Sequence, residues 1–64
     1  MRVNGTDYPL PETISLAAFL QKENYPLERV AVEKNGAIIP KNRFAEEPLN
    51  PGDQIEICAF VGGG

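Results

Sequence analysis

The sequence predicts a single α+β domain, in which a mixed sheet of about five strands carries one helix across one face. Two Asn-Gly dipeptides, at 4–5 and 35–36, each follow an alternating stretch and predict tight hairpin turns. Between the two hairpins, apolar residues recur at helical spacing. The stretch before the glycine-rich end alternates again, as a strand with one buried face does. A chain of 64 residues has room for one small core.

The first hairpin lies at the start of the chain. Residues 1–4 alternate between apolar and polar side chains, and Asn4-Gly5 supplies two residues that tolerate a positive φ. Residues 6–10 are interpreted as the returning strand. Pro9 limits this strand to the edge of a sheet or ends it early, because proline has no backbone N–H to donate.

One helix is predicted to begin after Ser15, whose hydroxyl suits an N-cap. It is expected to end near Asn24, because a residue before a proline, here Pro26, disfavours helical backbone. The spacing gives this helix one apolar face, made of Leu16, Phe19 and Leu20.

The second hairpin contains the clearest strand of the chain. Residues 29–34 place Val30 and Val32 on one face, and Asn35-Gly36 then predicts a two-residue turn. Residues 37–39 form the returning strand, which Pro40 ends.

The last third of the chain combines a loop with a final strand. Residues 41–50 show no clean period, and Phe44 and Leu49 are expected to anchor this loop in the core. Residues 54–60 alternate, which puts two side chains on one buried face, Ile55 and Ile57.

These elements follow one another in the order β-β-α-β-β-β, with the last strand placed beside the first. This is the order of the ubiquitin-like β-grasp fold. Residues 1–60 are therefore predicted to form one β-grasp domain, and residues 61–64 a flexible C-terminal tail rich in glycine.

The composition excludes several classes of function. The chain has no histidine and a single cysteine, so an internal disulfide, a zinc site of Cys and His ligands, and Ser–His or Cys–His nucleophile pairs cannot form. Six scattered basic residues against nine acidic ones give a net charge of −3, which predicts no binding to nucleic acid. We expect no bound metal or cofactor, and no catalysis by the chain alone.

The same counts bear on compartment and assembly. A lone cysteine without an export signal before the first strand predicts a protein of the reducing cytoplasm. The composition is too polar for a membrane segment. We expect a monomer that pairs with larger enzymes.

The candidate reactive group is the terminal carboxylate of Gly64. Gly62 and Gly63 lack a Cβ, so the tail can pass through a channel too narrow for side chains. From Val61 onward it can reach about 13 Å, at roughly 3.3 Å per residue. The carboxylate could attack the α-phosphate of ATP, but the chain has no phosphate loop, so a partner enzyme must position that reaction. Glycine-rich ends are also typical of inert linkers.

A partner surface is predicted beside the tail. Phe60 and Val61 stand where the last strand meets the tail, and Cys58 shares the face of Phe60 by alternation. Strict alternation with Ile55 and Ile57 turns Phe60 outward, whereas a bulge near Cys58 would return it to the core. Cys58 itself is expected to be a small buried or half-buried hydrophobic residue rather than a reactive thiol.

Three segments in this order, "RVAVEKNG", "LNPGDQIEI" and "FVGGG", resemble the ThiS family, the sulfur carriers of thiamine biosynthesis. The resemblance covers essentially the whole chain. It implies that an E1-like adenylyltransferase of the ThiF type activates Gly64 with ATP. Sulfur from a cysteine desulfurase would convert Gly64 to a thiocarboxylate, and thiazole synthase of the ThiG type would receive it. Gly63 would be the obligatory small neighbour of Gly64, and Gly62 would lengthen the tail.

Two other functions stay open at this point. The small subunit of molybdopterin synthase is another diglycine-ended β-grasp protein, and it differs in the acceptor of the sulfur. A ubiquitin-like interaction module would bind through its sheet with an inert tail. Removing Gly63 and Gly64 separates the carrier from the module, because only a carrier would lose its function while it keeps its binding.

Overall fold

A computed structural model of the protein describes residues 1–60. The predicted tail, residues 61–64, lies outside the described residues. The helix α1 spans Leu16–Lys22, and single 3-10 turns follow at Leu27–Arg29 and Lys41–Arg43. The strands in chain order are Arg2–Val3 (β1), Thr6–Asp7 (β2), Ile14–Ser15 (β3), Val30–Lys34 (β4), Ala37–Ile39 (β5), Pro48–Leu49 (β6) and Gln54–Ala59 (β7).

The main sheet has five strands in the order β2-β1-β7-β4-β5. The last strand, β7, pairs in parallel with β1 and antiparallel with β4, so it lies at the centre. This confirms a mixed sheet of five strands with the last strand beside the first. The returning strand of the first hairpin is shorter than predicted, since it ends at Asp7 and not at residue 10.

A second sheet has no counterpart in the sequence prediction. The two-residue strands β3 and β6 pair antiparallel, with Ile14 opposite Leu49. The predicted order β-β-α-β-β-β therefore omits one strand before the helix and one before β7. Strands of two residues are too short to display an alternating pattern, which is why periodicity did not reveal them.

Both predicted hairpin turns are confirmed, and the asparagine of each turn also makes side-chain hydrogen bonds to the backbone of β7. Asn4-Gly5 and Asn35-Gly36 have positive φ at both residues, between 51° and 86°, as a type I′ turn requires. The Asn4 side chain continues the pairing of β1: its Oδ1 accepts from the Ile57 N–H at 2.7 Å, and its Nδ2 donates to the Ile57 carbonyl. The Asn35 Oδ1 accepts from the Gln54 N–H at 2.9 Å. The central strand is thus tied to both turns.

The core lies between the main sheet and the helix. Its buried side chains include all the positions that alternation and helical spacing predicted, together with both loop anchors: Leu16, Phe19, Leu20, Val30, Val32, Phe44, Leu49, Ile55 and Ile57. Tyr8 packs edge-on against Phe19, with ring centroids 5.0 Å apart.

The loop that follows β5 satisfies the start of the helix. The first N–H groups of a helix have no partner within it. The Leu16 N–H donates to the Glu47 carbonyl at 2.7 Å, and the Ala17 N–H donates to the Phe44 carbonyl at 2.9 Å. The Ala18 N–H donates to the hydroxyl of Ser15, which confirms the predicted N-cap. Loop and helix therefore stabilise each other.

An ion-pair network joins the second hairpin to the turn before β7. Lys34 Nζ lies 2.9 Å from Glu47 Oε2 and 3.7 Å from Asp53 Oδ2, and these side chains are only 12–18% exposed. Asp53 also accepts from the Asn35 amide at 3.0 Å and from the Asn50 N–H at 2.8 Å. Every buried side-chain polar atom within residues 1–60 has a hydrogen-bond partner.

Stability is expected to fall in acid through Asp53. Burial raises the pKa of this carboxyl, but the hydrogen bonds from Asn35 and Asn50 and the charge of Lys34 outweigh burial, so the pKa lies below its ordinary value. A carboxyl with a lowered folded pKa contributes stability at neutral pH, and loses it as the pH falls below about 4. Lys34 stays protonated throughout, because its hydrogen bond to Glu47 raises its pKa.

Urea unfolding at a series of pH values checks this prediction. Asp53→Asn should lower the free energy of unfolding at neutral pH by about 1–3 kcal/mol and flatten the decline in acid. Asp7→Asn, at an exposed residue, serves as the control and should change neither quantity. An unchanged acid decline in Asp53→Asn would show that other carboxyls cause it.

Candidate functional site

The central strand β7 carries the described part of the candidate site. It pairs without interruption with β4, from Lys34 opposite Ile55 to Val30 opposite Ala59. The Phe60 N–H then donates to the Arg29 carbonyl at 2.7 Å, so the backbone at Phe60 is still held by the neighbouring chain segment. Gly64 is four residues further along the sequence. Residues 61–64 therefore follow, in sequence, a segment that is held beside the central strands of the sheet.

Phe60 points away from the core. The pairing of β7 with β4 keeps one register from Ile55 to Ala59 and contains no bulge, although burial ends with Ile57 and Ala59 is exposed. Phe60 is 55% exposed, which makes it one of two large hydrophobic side chains that stand out from the described surface. The outward orientation that strict alternation predicts is thus confirmed, and the alternative with a bulge is wrong.

Cys58 is exposed, and the prediction of a buried or half-buried residue is wrong. Cys58 lies opposite Ala31 of β4, on the face of the sheet that the helix does not cover. The methyl group of Ala31 is too small to cover the thiol. Phe60 is exposed as well, and its position on the same face as Cys58 stays a prediction from alternation.

The structure adds residues that the sequence analysis did not single out. Glu33 lies opposite Ile38 on one side and Glu56 on the other, so three neighbouring strands contribute to one row. Ile38 is 76% exposed. Together with the neighbouring pair of Ala31 and Cys58, these residues line a depression on the outer sheet face. The residues that line it are here called the outer-face cluster: Ala31, Glu33, Ile38, Glu56 and Cys58. The outward positions in β4 could have been found by alternation from Val30 and Val32.

The other predicted site residues are Val61, Gly62, Gly63 and Gly64. They lie outside the described residues, and their roles stay predictions. Within residues 1–60, no three or more His, Cys, Asp or Glu side chains are grouped as a metal ion would require. The described part of the chain forms no helix that is long and apolar enough to cross a membrane.

The order of the main sheet, the single helix and a central strand that leads to a glycine-rich end define a ubiquitin-like β-grasp protein. The sequence model of the ThiS family matches residues 1–64, and the chain belongs to that family. The crystal structure of the thiamine biosynthesis protein ThiS from Geobacter metallireducens superposes with a TM-score of 0.83 at 29% identity. That alignment covers 98% of this chain and 96% of the other.

Relatives known by sequence fall into two kinds. The uncharacterized protein ycf40 of Pyropia yezoensis is 36% identical over 64 residues, which is all of this chain and 90% of that protein. Thiazole synthase of Paramagnetospirillum magneticum is 37% identical over 62 residues, which is 97% of this chain. The chain spans only about a fifth of that thiazole synthase, 19% of its length.

Proposed function

We propose that the chain is a sulfur carrier of thiamine biosynthesis, loaded at the terminal carboxylate of Gly64. The observation that carries this proposal is the match to the ThiS family over all 64 residues, the Gly-Gly-Gly end included. The likeness to a solved thiamine biosynthesis protein supports it. The attachment of that end to the central strand suits a group that another protein must reach.

The chemistry of loading follows from the terminal carboxylate. A carboxylate resists attack by sulfur, because it is anionic and has no good leaving group. Attack of a Gly64 oxygen on the α-phosphate of ATP would release pyrophosphate and leave an acyl adenylate. Sulfur from a cysteine desulfurase, which leaves that enzyme as a persulfide and is reduced to the hydrosulfide level by a thiol, would then displace AMP and leave a thiocarboxylate. Positioning these steps belongs to an E1-like adenylyltransferase of the ThiF type, and the chain is its substrate.

The sulfur acceptor proposed is thiazole synthase. Two relatives named thiazole synthase contain a segment similar to this chain within a polypeptide about five times as long, from Paramagnetospirillum magneticum and from Magnetococcus marinus. A domain that occurs in one polypeptide with a second activity is expected to work beside that activity. This favours thiazole synthase over the large subunit of molybdopterin synthase as the acceptor.

Docking of these partners is proposed to use the surface beside the tail. Protein interfaces gain most of their affinity from a few apolar or aromatic anchors within a polar rim. Phe60 is an exposed aromatic side chain four residues from Gly64, and Cys58, two residues before it, is exposed as well. Val61 would continue this contact toward the channel of the enzyme.

Intact-mass spectrometry tests the proposal. Incubation with the adenylyltransferase, ATP and a sulfide source should raise the mass of the chain by the difference between one sulfur and one oxygen atom. The variant that lacks Gly63 and Gly64 is the control and should keep its mass. No change in the wild-type chain, with an enzyme that loads another carrier in the same assay, would contradict the proposal.

A further inference from the structure

Two carboxylates face each other across the centre of the outer sheet face. Glu33 of β4 and Glu56 of β7 are directly opposite in the antiparallel register, and both are exposed. Side chains in such positions have Cβ atoms about 4.5–5.5 Å apart, and like charges there destabilise the sheet. Within residues 1–60 the ion pairs are those of Lys34, with Glu47 and Asp53. Neither Glu33 nor Glu56 therefore lies within 4.0 Å of a cationic group of the described residues.

The fold alone does not require this pair. An outward position in an antiparallel sheet needs only a polar side chain, and a neutral or oppositely charged pair would be more favourable. Ile38, opposite Glu33 on the other side, adds an exposed apolar side chain to the same row. Phe60, the other large hydrophobic side chain exposed among the described residues, lies four residues beyond Glu56 in the sequence. A pair of carboxylates beside an exposed apolar side chain is complementary to a cation with an apolar neighbour.

We propose that the outer-face cluster receives an arginine of the adenylyltransferase between Glu33 and Glu56, with Ile38 as an apolar contact beside Glu33 and Phe60 as a separate apolar contact nearer the tail. A guanidinium has five N–H donors in a planar fork, so one arginine can bond to two carboxylates. The apolar contacts would exclude water and strengthen these charge-assisted bonds. This inference rests on the proposed function, which supplies the partner.

Charge favours the adenylating enzyme as the occupant of this face. An enzyme that binds ATP carries cationic groups around the triphosphate. The end of the tail must meet the α-phosphate, and from Val61 the tail can span only about 13 Å, at roughly 3.3 Å per residue. The sheet face beside Phe60 must therefore dock close to that positive region. The net charge of −3 on this chain would also steer the encounter.

The proposal predicts effects of opposite sign on folding and on docking. Glu33→Gln and Glu56→Gln remove the repulsion, so the midpoint of urea unfolding should stay the same or rise. The same variants should raise KM for the chain in ATP–pyrophosphate exchange by about tenfold, the loss expected for one hydrogen bond to a charged group. The kcat should not change, because neither residue reaches the reacting atoms. A carboxylate pair that served only the fold would not separate the two readouts in this way.

Glu46→Gln is the matched control, since it removes the same charge from an exposed loop residue. It should leave KM within about twofold of the wild type at physiological salt, because charges beyond about 8 Å are screened there. The proposal would be overturned if all three variants kept the wild-type KM, or if KM rose by the same factor in all three. A lower unfolding midpoint for Glu33→Gln, or an effect confined to sulfur transfer onto thiazole synthase, would overturn it as well. Absence of exchange with the wild-type chain would instead contradict the proposed function, and this inference with it.

Discussion

Gly63→Val is expected to abolish adenylation of the chain end and to leave the unfolding transition of the domain unchanged. A β-branched side chain stiffens the backbone and would obstruct a channel shaped for glycine. Misplacing a reacting group by about 1 Å can cost a hundredfold in rate, so kcat/KM should fall by at least about that factor. The last buried core residue that the structure describes is Ile57, six residues before Gly63, which is why the free energy of unfolding should not change. ATP–pyrophosphate exchange and urea unfolding measure the two quantities.

The chain offers a matched control for this substitution. Gly52 lies in the exposed turn before β7, and a Cβ added there meets no atom within 4 Å. Gly52→Val should therefore be adenylated at the wild-type rate. Full adenylation of Gly63→Val would show that the enzyme accepts a side chain next to Gly64. Equal losses in both variants would point to a general effect of valine on the domain rather than to the tail.

Local signals predicted most of the fold. The Asn-Gly dipeptides predicted both hairpin turns, because a type I′ turn needs a positive φ at two successive residues. Alternation predicted the buried faces of β4 and β7, and helical spacing predicted the buried face of α1. Each of these features is encoded by residues within a few positions of one another.

Two features that depend on distant residues were not predicted, the second sheet and the ion-pair network. The pairing of β3 with β6 brings together Ile14 and Leu49, and neither strand is long enough to show a period. The network of Lys34, Glu47 and Asp53 joins three separate segments. The order of charged residues in the sequence does not show that these three side chains meet, because the loop that brings them together has no periodic pattern from which its path could be predicted. Such contacts follow only from the assembled sheet.

The candidate site was predicted in part, for similar reasons. Alternation turned Phe60 outward, and the structure agrees. The same alternation places Cys58 on the outer face, whereas the general preference of cysteine for buried positions predicts a buried residue; Cys58 is exposed, so the prediction of burial is wrong. Glu33, Ile38 and Glu56 share one row only through the registers of two strand pairs. Register between strands is not contained in the period of any one of them.

Phe44→Ala and Phe60→Ala are expected to differ sharply, although they delete the same atoms. Phe44 is 4% exposed and lies in the core with Leu49, and its carbonyl accepts from the Ala17 N–H at the start of the helix. Truncating a buried phenylalanine costs about 3–5 kcal/mol. A domain of this size has roughly 3–10 kcal/mol of stability, so Phe44→Ala should be partly or mostly unfolded at 25 °C. Circular dichroism during urea unfolding measures this cost.

Phe60→Ala should change the free energy of unfolding by no more than about 0.5 kcal/mol, because the side chain is 55% exposed and lies outside the buried core. Its effect should lie in docking instead, as a higher KM for the chain in adenylation with an unchanged midpoint of unfolding. The two variants thus separate an aromatic residue that holds the domain together from one that contacts a partner. Comparable destabilisation by both substitutions would place Phe60 in the core and remove it from the interface.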